Sequence, residues 1–175
     1  MSYGGPLPFG QRLRAAIWPA VRFAILCAAV FLVAIGYGLF ARAFAPLPRS
    51  ATALAVLALP PAATAGVLAF AIDVLLPRTG RIARGALMAV TLAAAAPLAS
   101  AAVFSLQFRS NYPAEYPPVW TQDGFHNLVW TGVATLYMFA VTGTRLFLPL
   151  GPVALGLVAV WFALRSGPAT ARTAN

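Results

Sequence analysis

The residues able to do acid–base or metal chemistry in this 175-residue sequence are few: Asp73, Glu115, Asp123, a lone histidine at His126 and a lone cysteine at Cys27. Glu115, Asp123 and His126 fall within twelve positions of one another. A carboxylate–imidazole set of this kind can hold a divalent metal or pass a proton. Their spacing matches no known metal-ligand pattern, however, so the expectation is no metal and no cofactor. A simpler arrangement is that Asp123 caps a helix beginning near position 127, accepting from its free N–H groups, while His126 sits at a membrane–water boundary. Ser100 and Ser105 have no histidine or acid nearby in sequence to activate them. Gly4-Gly5 and Gly36-Tyr37-Gly38 lack the strand-to-helix setting of a phosphate loop. No catalytic residue is therefore assigned.

Asp73 differs from the others because it lies inside an apolar run. A charge in the bilayer centre costs about 3 kcal/mol on insertion scales and must face protein or a polar path. Asp73 stands four residues before Pro77, about 6 Å inside the boundary at helical rise, which makes pairing easier. Arg22 and Arg145 are expected at the same depth and are the candidate partners. Asp73, Arg22 and Arg145 then form either a structural ion pair or, in the alternative, a proton or cation path.

The elements that would position these residues follow from composition. Hydrophobic residues make up 61% of the chain, charged ones 9%, and the mean hydropathy is +0.83; soluble domains run near half apolar and a quarter charged. The expected fold is an all-α, polytopic transmembrane bundle forming a single domain over 1–175. Five spans are expected, at about 17–41, 51–76, 86–108, 127–148 and 152–165, with an outer loop over 109–126. Pro60-Pro61 should kink the second span. The alternative has four spans plus a short re-entrant or interfacial C-terminal helix. The basic loop from Arg78 to Arg84 is assigned to the cytoplasm together with the N-terminus. On five spans seven arginines fall inside and five outside; on four the division becomes nine against three. Tyr112, Tyr116, Trp120, Phe125 and Trp130 cluster around the outer loop as an aromatic belt, and Tyr116-Pro117-Pro118 should be stiff.

The net charge of +9 does not indicate nucleic acid, since the arginines sit in short gaps between apolar runs and suit anionic headgroups and topology. One cysteine forms no internal disulfide. A chain without lysine and rich in alanine, arginine, glycine and proline suggests a GC-rich bacterial gene and hence the bacterial inner membrane. The run from Phe23 to Ala41 exceeds a cleaved signal's apolar core, so it reads as a retained anchor.

On the second span Ala55, Ala58, Ala62, Gly66, Ala69 and Asp73 share one helical face. Val56, Leu57, Val67, Leu68, Val74 and Leu75 share the other. Small residues allow close helix approach, so the first face should meet protein and the second lipid. Ala95, Ala99 and Ala102, with Ala96 and Ser100, make a weaker face on the third span. From these features the expected function is a non-catalytic accessory or assembly subunit of a membrane complex, with the bilayer, other membrane subunits or a second copy as partners. The alternative is a small homo-oligomeric transporter or channel using Asp73 and an arginine.

Overall fold

The apolar runs fold as helices throughout the residues that the structure, a computed structural model, describes: 8–42, 47–112, 116–148 and 150–165. Helix α1 is Phe9–Arg42, α2 Leu47–Leu75, α3 Arg81–Asn111 and α4 Gln122–Met138. A π-helical segment, Phe139–Gly143, leads into the short α5, Thr144–Phe147, and α6, Leu150–Leu164, follows. Three helices are long and apolar enough to cross a membrane, within Phe9–Ala41, Leu54–Leu75 and Arg81–Asn111; α6 is apolar but shorter. At 1.5 Å per residue the 34 residues of α1 extend about 51 Å, well beyond a hydrocarbon core of about 30 Å.

The helices start and stop where local chemistry requires. Pro77 follows the last turn of α2, and Gly80 in extended conformation precedes α3. The hairpin between them is only five residues long. Consequently α3 begins at Arg81, earlier than the 86 expected, and Arg84 lies on the helix instead of in the loop. Prolines at 19, 60, 61 and 97 are accommodated inside α1, α2 and α3, and α2 remains helical from Leu47 to Leu75 through Pro60-Pro61.

The core is centred on α1 and α2 and continues into Met88 and Leu92 of α3 and Ala154, Val158 and Phe162 of α6. Phe23, Cys27, Phe31, Ala34 and Ile35 of α1 meet Ala58, Ala62, Ala65 and Ala69 of α2. Gly66 marks the tightest point: a Cβ there would stand 2.7 Å from the Ala24 Cβ and 3.4 Å from the Ala20 carbonyl oxygen, so only glycine permits this approach. The small face of α2 is thus largely consumed within the chain, although Ala55 is exposed. Val56 and Val74 on the opposite side are buried and depart from the expected pattern. On α3, Ser100 is buried and Ala95, Ala96 and Ala99 are half-buried, while Ala102 is exposed.

Helix α6 packs on both α3 and α1. Gly85 of α3 makes room for it, since a Cβ there would lie 2.9 Å from the Ala163 Cβ and 3.2 Å from the Ala159 carbonyl oxygen. Phe162 stacks on Phe23 with ring centroids 5.4 Å apart, and Phe147 on Phe31 at 6.2 Å. Arg165, just past the end of α6, reaches the Pro19 carbonyl near the start of α1. The end of α6 therefore shares one pole of the bundle with the beginning of α1. The start of α4 lies at the other pole, where Arg109 near the end of α3 donates to the Pro117 carbonyl. Between 122 and 164 the chain travels the bundle's length once, with its helix broken midway.

Candidate functional site

Helical phase determines where Asp73 points. It follows Ala65, Ala69 and Ile72 along the buried seam of α2 and is only 2% exposed. Two guanidiniums meet its carboxylate. Arg84, one turn into α3, donates to Oδ1, and Arg165 donates to Oδ2 at 2.6 Å. The Arg84 pairing crosses the α2–α3 hairpin between positions at similar distances from the turn. The Arg165 pairing closes 92 residues of chain. Charge-assisted hydrogen bonds of this kind are about twice as strong as neutral ones.

Aromatic rings complete the surroundings. Arg165 lies over Phe162 at 4.3 Å and Phe23 at 4.7 Å, and Arg84 lies over Phe162 at 5.1 Å. The ring faces supply negative potential to cations withdrawn from water, a contribution of about 0.5–2 kcal/mol each. Arg165 also donates to the Pro19 carbonyl at 3.3 Å, and Arg12 donates to the Val74 carbonyl at the same distance. One acid and two arginines thereby tie α2 to α3 and α6, and neighbouring arginine–carbonyl bonds add α1. Both carboxylate oxygens are occupied. Two cations on one anion leave a net positive charge at this pole.

Arg22 and Arg145, the partners expected from depth alone, are both exposed, Arg145 on α5. Arg22 adjoins Phe23, whose side chain occupies the buried seam, so its own is rotated about 100° away from that seam. Arg84 and Arg165 were the residues that sequence reasoning missed.

At the opposite pole the ligand-like residues do not converge. Thr121, not Asp123, caps α4: its hydroxyl oxygen accepts from the Gly124 N–H at 3.0 Å, while Asp123 stands exposed in the first turn. His126 accepts from the Trp130 indole N–H at 2.7 Å. Glu115 lies outside the described residues. Among the described residues no three His, Cys, Asp or Glu side chains come together. Within the outer loop Tyr116 packs against Phe108 and lies under the Arg109 guanidinium at 5.0 Å. Gly124 presses on the Pro118 carbonyl so closely that any Cβ would collide with it.

No family model, no curated protein and no solved structure matches the chain. The arrangement must therefore be interpreted from its own chemistry. A carboxylate with both oxygens in charge-assisted bonds, buried by aromatic rings, is arranged as a fastening. A proton relay would need a route to water, and Asp73 is only 2% exposed.

Proposed function

We propose that this chain is a non-catalytic, multi-pass protein of the bacterial inner membrane that serves as an accessory or assembly subunit packing against other membrane proteins. The observation carrying this reading is the double engagement of Asp73, the one acid within the apolar helices, by Arg84 and Arg165. An acid so engaged holds helices together.

Four crossings fit this arrangement better than five. Helices α1, α2 and α3 each supply one, and the interrupted path from α4 to α6 supplies the last. The start of α1 and the end of α6 then share a side. Arg12, Arg14, Arg78, Arg81, Arg84 and Arg165 fall on that side, against Arg42, Arg49 and Arg109 on the other. The arginine-rich side is cytoplasmic by the positive-inside rule, and the net positive charge of the Asp73 cluster suits an anionic leaflet.

Helix α4 is the face most open to a partner. Gly124 and Thr135 are its only buried residues, whereas Phe125, Trp130, Tyr137 and Met138 are exposed. A helix so little covered by its own chain is suited to pack against another membrane helix. The small-residue face of α2, already filled by α1, is not available for that purpose.

Gentle solubilisation followed by native mass spectrometry tests the proposal. A complex with different membrane subunits is expected, weakened by Trp130→Ala together with Tyr137→Ala. A homo-oligomer whose ion flux is lost in a well-accumulating Asp73→Asn variant would instead establish the transport alternative.

A further inference from the structure

A cavity of about 470 Å³ lies at mid-height in the bundle, between α1, α2, α3 and the broken segment leading to α6. That volume is within the usual range for small-molecule sites, about 300–1,000 Å³. Among the described residues no charged one lines it, and Ser100 contributes the only side-chain hydroxyl. Its unusual feature is covalent. Pro61, Pro97 and Pro152, from three different helical segments, all border it. Proline has no backbone N–H, so Pro61 and Pro97, inside α2 and α3, each remove the α-helical hydrogen bond to the carbonyl four residues earlier, whereas Pro152 stands in the first turn of α6, where the N–H has no helical partner. Those carbonyls belong to Leu57 and Ala93, and both residues border the same cavity. For Leu57 the residue three positions on, Pro60, also lacks an N–H, which removes the tighter 3₁₀ bond too.

The π-helical segment adds to the pattern, since Phe139 and Ala140 at its start also line the cavity. Such insertions concentrate at functional sites. In hydrocarbon a carbonyl without its helical donor needs another one. Bound water would need two to four polar partners, and aliphatic and aromatic walls suit it poorly. Ala93, Pro97 and Leu148, on the cavity's border, are exposed, so the opening lies on the flank of the bundle.

We propose that this cavity binds a neutral, lipid-soluble alcohol, whose chain fills the apolar space and whose hydroxyl donates to one of the two carbonyls, Leu57 or Ala93, released by Pro61 and Pro97. The proposal rests on the chain's spanning a bilayer, because only there would the opening face lipid. It is independent of whether the protein is an accessory subunit.

The test uses the full chain in nanodiscs and hexadecanol carrying a mid-chain diazirine, compared with the methyl ether of the same probe. Resistance of the protein to alkaline extraction from membranes checks the spanning premise separately. On irradiation the alcohol should label peptides covering 92–100 and 136–148 about fivefold more than the ether, the selectivity expected of one net hydrogen bond. Ala96→Leu should block that labelling by filling the space. Pro97→Ala should reduce the alcohol's advantage by returning an N–H to the Ala93 carbonyl, with helicity and melting temperature showing that the variant is folded. Equal labelling by the ether would overturn the proposal and leave an acyl-chain slot. Labelling spread over all helices and undiminished in the Ala96→Leu variant would also overturn it.

Discussion

The two poles of the bundle are held together by different kinds of interaction. At the Asp73 pole, contacts join residues far apart in sequence: Arg12 to Val74 across 62 positions, Arg165 to Asp73 across 92 and Arg165 to Pro19 across 146. At the Thr121 pole the polar contacts are local: Arg109 to Pro117 across eight positions, Trp130 to His126 across four and Thr121 to Pro118 across three. Apart from the Arg84–Asp73 pair, which spans 11 positions across one hairpin, the first set exists only when α1, α2 and α6 are assembled. The second can form within a single loop and helix. Loss of one partner should therefore disassemble the bundle at the first pole and merely loosen a turn at the second.

This contrast can be broken most directly at Asp73. Replacing it with alanine leaves two buried guanidiniums without their anion, and removing one partner of a buried pair costs about 3–5 kcal/mol. Asp73→Ala should therefore abolish accumulation or lower the melting temperature more than any single change at the other pole, as thermal unfolding in nanodiscs would reveal. A smaller loss is expected for Gly85→Leu, because the added side chain would push α6 away from α3; overpacking of this kind costs about 1–3 kcal/mol. The same variant should weaken the Arg165–Asp73 contact, read as increased protease sensitivity after position 165. At the Thr121 pole, Thr121→Ala should cost about 1 kcal/mol, the usual loss on removing a helix cap. His126→Ala, which removes one exposed hydrogen bond, should change stability by less than about 0.5 kcal/mol. An equal fall in melting temperature for His126→Ala and Asp73→Ala would erase the distinction between the poles.

Much of this organisation was visible in the sequence, for identifiable reasons. Long apolar runs bounded by arginine and proline mark α1, α2 and α3 without reference to tertiary structure. Asp73 was recognisable as buried because it shares a helical face with Ala62, Gly66 and Ala69. Its partners were harder to find. With the start of α3 placed at Ala86, Arg84 belonged to a loop; the short hairpin instead sets Arg84 opposite Asp73. Recognition of Arg165 required the direction of the last helix, and hydropathy does not encode direction when an apolar stretch is broken by Gly143, Pro149 and Pro152. Arg22 was chosen by depth alone, whereas its phase relative to Phe23, Cys27 and Phe31 turns it outward. The cap was displaced by two residues, from Thr121 to Asp123, because both are good cap formers and the first turn of α4 is polar.

Asp73 fastens the last helix to the bundle through Arg165. A double-mutant cycle measures this directly, with melting temperatures and unfolding free energies compared for the parent, Asp73→Asn, Arg165→Gln and the double variant in nanodiscs. The clamp predicts strong coupling: each single variant should be clearly destabilised, and the double variant should lose much less than the two losses combined. Additive losses, or an Asp73→Asn variant as stable as the parent, would show that the carboxylate does not hold α6 in place and would contradict the account.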